Sequence, residues 1–259
     1  NKSLEQIKIP NSVTTIGANA FLWCESLQSI VIPDTVNRID DDAFRYCKSL
    51  THVSIPNSVT IIGNCAFEGC TNLHSIIIPD TITEIGRHPF PKNCVISSKS
   101  SRYIVEKGFL IDNKEKTILH YSGFEKEIII PDTIINIGTG AFEGCISITS
   151  VVIPTSVVTI EDRAFEGCKS LQQIVIPNSV TSIGCKAFYD CESLQQVVLS
   201  NAITTIKEYT FCKCTSLMYV LIPKTVSCIE SYAFATCKSL ICITIPDSVI
   251  RIGHHAFLF

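Results

Sequence analysis

Apolar residues recur along this chain at a spacing of 23 residues. When Leu4 is numbered position 1, isoleucine stands at position 13 of ten units, from Ile16 to Ile252, and phenylalanine stands at position 18 of the same units, from Phe21 to Phe257. A unit this short cannot bury its own isoleucine and phenylalanine, so neighbouring units must stack and share a core. The pattern therefore predicts a repeat solenoid.

The hydrophobic pattern inside one unit predicts where its strand lies. Positions 4 and 6 are apolar in every unit, as in Ile30 and Ile32, and such alternation is typical of a strand with one face toward a core. The proline that usually follows, such as Pro33, has no N–H to donate and ends the pairing. We expect a parallel β-sheet on one face and turns, short helical or extended segments on the other. Position 14 is glycine in six of the ten units, beginning with Gly17, and the other four have Asp40, Glu161, Lys207 or Glu230. The pattern therefore predicts that a positive φ is favoured there but not required.

The unit resembles the BspA-like leucine-rich repeat of the 23-residue type, which is found in bacterial and protist surface proteins. The segments 32–36 (Ile-Pro-Asp-Thr-Val) and 66–70 (Ala-Phe-Glu-Gly-Cys) carry this resemblance, which covers about nine-tenths of the chain. The resemblance implies a leucine-rich-repeat-like solenoid. It says less about function, because one scaffold serves many binding tasks.

The period is interrupted once, between the fourth and the fifth unit. We predict one solenoid domain over residues 1–259, with repeats at 4–95 and 125–259 and an irregular unit at 96–124.

Strand-like segments inside the interruption predict a hairpin. Residues 103–105, 109–111 and 117–121 are strand-like, and the polar segment 112–116 is typical of a turn. The insert is similar to the irregular hairpin unit that often interrupts arrays of this family. Two interpretations stay open. The insert either replaces one repeat and keeps the core continuous, or it projects sideways as a binding element.

Position 5 lies between two inward positions, so its side chain must point to solvent from the same strand. This position is apolar in seven of the ten units, and the exceptions are Lys8, Ser54 and Thr244. Exposed apolar patches tend to be contact sites, although strand propensity also favours branched residues. With Tyr219 of position 3, the predicted partner-binding residues are Val31, Ile77, Ile129, Val152, Val175, Val198, Tyr219 and Leu221.

Charge and motifs restrict the other function classes. The formal net charge of −3 and the lack of a basic cluster argue against nucleic acid as a partner. No apolar run has the roughly 18 residues of a membrane-spanning helix. The sequence contains no phosphate-binding glycine loop and no nucleophile motif, so we predict no enzyme activity and no cofactor.

The cysteines predict a row of stacked thiols, which we call the cysteine ladder, rather than a metal site. Nine of the fourteen stand at or next to position 21, from Cys24 to Cys237, and no C-x-x-C pair occurs. We expect reduced, buried thiols at these places. His52 and His74 lie in neighbouring units without an evident third ligand, so no metal site is predicted.

These observations predict a non-enzymatic binding or adhesion module that presents a solenoid surface to a protein or glycan. The family resemblance implies a location at the cell surface or outside the cell. The alternative is an intracellular protein-interaction scaffold in the cytoplasm. Because both ends have full repeat character without a polar cap, we also expect homo-oligomers.

Overall fold

The structure is a computed structural model that describes residues 1–92 and 94–258. Every regular element within these two ranges is a strand, and helices are absent from them. The segments opposite the main sheet are therefore turns and short extended pieces, which were among the expected alternatives. No helix in the described chain could span a membrane.

The first compact unit comprises Asn1–Lys114 and Leu119–Gly123. Two sets of parallel strands recur in it, one at positions 3–5 of each repeat and one at positions 12–13. Its strands are β1 (Gln6–Lys8), β2 (Thr15–Ile16), β3 (Ser29–Val31), β4 (Arg38–Ile39), β5 (His52–Ser54), β6 (Ile61–Ile62), β7 (Ser75–Ile78), β8 (Glu84–Ile85), β9 (Val95–Ser98), β10 (Tyr103–Glu106), β11 (Phe109–Asp112) and residues 119–121 of β12 (Thr117–Tyr121).

The second compact unit comprises Glu115–Ile118 and Phe124–Phe259. The same two sets of parallel strands recur in it, with partners 23 residues apart, as in Ile128 beside Val151. Its strands are residues 117–118 of β12, β13 (Glu127–Ile129), β14 (Asn136–Ile137), β15 (Ser150–Val152), β16 (Thr159–Ile160), β17 (Gln173–Val175), β18 (Ser182–Ile183), β19 (Gln196–Val198), β20 (Thr205–Ile206), β21 (Tyr219–Leu221), β22 (Cys228–Ile229), β23 (Cys242–Thr244) and β24 (Arg251–Ile252).

Stacked phenylalanines form the centre of each unit. In the first unit the rings of Phe21 and Phe44 are parallel, with centroids 5.2 Å apart. In the second unit Phe165 and Phe188 stack at 5.3 Å with an interplanar angle of 3°. The prediction that repeats share a core of stacked isoleucine and phenylalanine is confirmed inside each unit.

The expected interruption begins with a strand that stays in the repeat ladder. β9 pairs in parallel with β7, and Ile96 lies opposite Ile76 at a spacing of 20 residues instead of 23. β10 and β11 then form an antiparallel hairpin, with Ile104 opposite Ile111. Tyr103 of this hairpin belongs to the same core as the repeats of the first unit. These contacts support the interpretation that the insert replaces a repeat.

Polar contacts also hold the hairpin against the fourth repeat. Arg102 donates from Nη1 to the carbonyl of Thr83 at 2.6 Å, and the hydroxyl of Tyr103 donates to the same carbonyl at 3.1 Å. Arg102 also pairs with the buried carboxylate of Asp112 at 2.9 Å. Because these groups face the repeat, the hairpin packs along it rather than projecting from it.

The expectation of a positive φ at position 14 is wrong. Gly63 and Gly184 have ordinary φ values, and their role is spatial. A Cβ on Gly63 would lie 2.5 Å from the backbone nitrogen of Asp41 in the preceding repeat. Glycine therefore allows a close approach of two backbones at these places.

Left-handed residues stand instead at positions 16 and 20, and most of them are not glycine. Asn19 (φ 60°) and Trp23 (φ 60°) are the first pair. Their backbone N–H groups donate to the carbonyls of Asp41 and Arg45 in the next repeat, each at 3.0 Å. Both left-handed residues thus take part in the backbone hydrogen bonds along the stack, which offset a steric cost of roughly 1–2 kcal/mol per residue.

Candidate binding face

Alternation along each strand separates core residues from outward residues. In β17, Ile174 is buried between the exposed side chains of Gln173 and Val175. The same exposed–buried–exposed pattern occurs in β3, β5, β13, β19 and β21. Successive side chains of a strand point to opposite faces of the sheet, which explains the pattern.

All eight sequence-predicted partner-binding residues lie on the outward side of these strands. Their exposed fractions run from 53% for Ile77 to 79% for Val31. The structure agrees with their predicted orientation. Whether they bind a partner stays a prediction.

The second unit brings six of these residues together. Ile129 lies opposite Val152, and Val175 lies opposite Val198, in register between parallel strands. Tyr219 lies opposite Gln196, and Leu221 is in the same strand as Tyr219. The side chains therefore form a continuous row.

The other two predicted residues, in the first unit, have polar neighbours. Val31 lies between Lys8 and Ser54, its register partners on the two adjoining strands. Ile77 lies opposite Ser97. The first unit therefore contains single exposed apolar residues rather than a row.

Five consecutive strands of the second unit expose a surface without a charged side chain. It consists of positions 2, 3 and 5 in the repeats of β15, β17, β19, β21 and β23, and we call it the uncharged face. Its members are exposed or half-exposed: Thr149, Ser150, Val152, Gln172, Gln173, Val175, Gln195, Gln196, Val198, Met218, Tyr219, Leu221, Ile241, Cys242 and Thr244.

Charged residues border the uncharged face. Lys126 and Glu127 belong to the preceding repeat, ahead of Thr149. Lys169 pairs with Glu192 at 2.6 Å and with Asp190 at 3.4 Å. Lys169 and Glu192 each stand just before the buried leucine that begins a repeat. A neutral centre with a charged rim is the usual anatomy of a protein–protein interface.

A shallow groove adjoins the C-terminal end of the uncharged face. Its volume is about 770 Å³, and its apolar lining residues include Leu221, Pro223 and Ile245. The charged residues Lys224 and Asp247 also line it. The groove could accept one apolar side chain of a partner next to the row.

Sequence reasoning missed the contribution of position 2. Gln172, Gln195 and Ile241 precede the strands and are exposed beside the position-3 column. The signal was available, because position 2 has no charge from Thr149 to Ile241. The side chain at position 2 stands just before the strand. The turn sets its orientation, so the two-residue alternation of the strand does not predict it.

The cysteine ladder has a structural role. The thiol of Cys191 donates to the carbonyl of Phe165 at 3.2 Å, and Cys47 and Cys214 make the equivalent bonds to Phe21 and Phe188. Eight of the nine ladder cysteines are buried, as expected, and Cys145 is half-buried. Burial raises the pKa of Cys237 to about 12, which suppresses the reactive thiolate.

Metal ligation finds no support in the described part of the chain. No group of three or more His, Cys, Asp or Glu side chains in residues 1–92 and 94–258 could hold an ion. His52 and His74 are both exposed on the first unit.

Comparison with known families identifies the repeat. The model of the BspA type leucine rich repeat region (6 copies) matches residues 1–105 and 135–258, which is most of the chain. The chain belongs to the BspA-type leucine-rich repeat family. Proteins of this repeat type are generally non-enzymatic binding modules, and the matched family is not a catalytic one.

Two solved structures illustrate the similarity. A leucine-rich repeat protein from Eubacterium ventriosum is 23% identical, with a TM-score of 0.79 over 98% of this chain and 82% of that one. A leucine rich cell surface protein from Faecalibacterium prausnitzii is 26% identical, with a TM-score of 0.63 over 95% of this chain and 78% of that one. Both support the leucine-rich-repeat solenoid. No curated protein sequence matches the chain.

Proposed function

We propose that this BspA-type repeat protein binds another protein through the uncharged face of its second unit. The observation that carries the proposal is the absence of charge from fifteen neighbouring outward positions, which include the apolar row from Val152 to Leu221. Depletion of charge is the compositional signal of an interface core, and an apolar row is more favourable against a partner than against water.

The chemistry of the face favours a protein over a glycan. Tyr219 is its single aromatic residue, so the four glutamine amides of the face have little aromatic surface beside them on which a sugar ring would stack. Val175, Val198 and Leu221 offer apolar area that a hydrophilic glycan would not use. Tyr219 is the best-placed anchor, because tyrosine is among the residues that contribute most of the binding energy at interfaces. Leu221 of the same strand lines the groove.

A cell-surface location is part of the proposal. It is supported by the family and by the similar Faecalibacterium protein, which is described as a leucine rich cell surface protein. Adhesion is the corresponding biological role. The intracellular scaffold is the alternative, and immunolabelling of intact against permeabilised source cells distinguishes the two.

The experiment uses the labelled chain as a probe on an array of purified extracellular proteins and on intact cultured cells. We expect saturable binding that falls at least tenfold when Val152, Val175 and Val198 are all replaced by lysine. The matched control replaces Val31 and Ile77 of the first unit by lysine, which should leave binding unchanged. Equal loss in both variants, or saturable binding that neither variant alters, would refute the uncharged face as the site.

A further inference from the structure

His120 is a buried titratable group that the binding face does not use. It lies in β12, within the part of that strand that belongs to the first unit, and is 4% exposed. Its imidazole is hydrogen-bonded to the backbone of Pro91. Its Nε2 has no hydrogen-bond partner among the described residues.

Among the described residues, the charged groups that act on this imidazole are both basic. They are Lys92 and His88 of the segment 86–92, which follows β8. The other residues of β12, Thr117, Ile118, Leu119 and Tyr121, carry no charge. Within the described part of the chain, a proton on His120 would therefore be enclosed next to two basic side chains and without an acidic partner.

We propose that His120 is an acid-sensitive contact, which holds the segment 86–92 against β12 when it is neutral and releases that segment when it is protonated. Phe90 in the segment and Tyr121 in β12 are themselves buried, each 2% exposed. In the closed state the segment 86–92 lies against β12. In the open state, at acid pH, the segment is released and these two side chains become exposed to solvent. This device is independent of the uncharged face in the second unit.

The sign of the pH dependence follows from the burial of the ring. Burial, together with the positive charges of Lys92 and His88, outweighs the hydrogen bond to Pro91, which favours the protonated ring, and lowers the pKa of His120 from 6.5 to about 3. The closed state is therefore fully favoured above pH 6.5 and loses stability as pH falls from 6.5 toward 3. Across this window the opening equilibrium rises by up to about tenfold for each pH unit, and by about 50-fold between pH 6.5 and pH 4.5, because the ring of the open state is already half protonated at pH 6.5.

Labelling of Cys94 measures this opening. Cys94 is buried two residues after Lys92, so a pyridyl-disulfide reagent, which reacts at acid pH, reaches it only in the open state. Rates are divided by those of the denatured chain at the same pH and read by peptide mass spectrometry. We expect the Cys94 rate to rise about 50-fold between pH 6.5 and 4.5, while the rate of Cys237, buried in the second unit, stays flat.

Two variants and one direct titration decide the outcome. His120→Gln should abolish the acceleration, and His52→Gln, at an exposed histidine of the same unit, should retain it. A flat Cys94 rate in the natural chain, or an acceleration that survives His120→Gln, overturns the proposal. If His120→Gln does not fold, NMR titration of the natural chain replaces it. A folded-state His120 resonance that titrates near pH 6.5 would equally overturn the proposal.

Discussion

The two compact units have the same repeat and differ in what their strands show to solvent. At position 5 the first unit presents Lys8, Val31, Ser54 and Ile77, whereas the second presents apolar residues on five consecutive strands from Ile129 to Leu221. Strand propensity does not explain the difference, because lysine and serine are accommodated at the same place in the first unit. Inward positions are set by packing and are alike, so the outward positions are where the two units can diverge in function.

The largest expected effect tests whether the two cores are equivalent. Phe44→Ala in the first unit and Phe188→Ala in the second each remove a fully buried stacked ring. Each should lower the free energy of unfolding of its own unit by about 3–5 kcal/mol. Amide hydrogen exchange resolved by unit measures both losses. A loss below about 1 kcal/mol in either unit would show that the shared phenylalanine stack is not equally important.

Thiol reactivity compares the buried ladder with the outward face. Cys70 and Cys191, buried in the two units, should react at least about 100-fold more slowly than the exposed Cys242 of β23. Denaturation should remove the difference. The measurement is timed alkylation followed by peptide mapping. Fast native reaction of the ladder cysteines would contradict the S–H···O=C ladder.

Self-association sharpens the comparison of the outward faces. An exposed apolar row favours association of copies, so we expect concentration-dependent oligomers in the natural chain. Replacing Val152, Val175 and Val198 together by lysine should weaken association at least tenfold, because charge would have to be desolvated. Sedimentation equilibrium measures the constant, with lysines at Val31 and Ile77 as the control. Monomers at all concentrations would rule out this use of the row.

The smallest expected effect concerns the left-handed positions. Arg163 is exposed at position 16 with φ 57°, whereas Gly140 has that position in the preceding repeat. Arg163→Gly should therefore stabilise the second unit by about 0.5–1 kcal/mol, since glycine avoids the steric cost. Arg163→Ala is the control and should bring no such gain. Urea unfolding compares the three chains, and a destabilised glycine variant would show that the Arg163 side chain contributes more than its strain costs.

Much of this architecture could be predicted from residue types alone. The period, the inward isoleucines and the orientation of Val152 or Leu221 follow from a two-residue alternation that repeats every 23 residues. The reason for glycine at position 14 could not be predicted. A single unit shows a flexible residue, and only the stacked neighbour shows that Gly63 touches the backbone of Asp41.

The sequence by itself determined the leucine-rich-repeat solenoid, the stacked core and the outward side of each strand, because these depend on local periodicity and on burial shared between like units. The tertiary structure decided the rest. Left-handed residues such as Trp23, the position-2 amides beside the valine row and the enclosure of His120 all depend on the course of turns and on contacts between repeats. A single unit does not show such contacts, because each is made with a neighbouring repeat or with the insert.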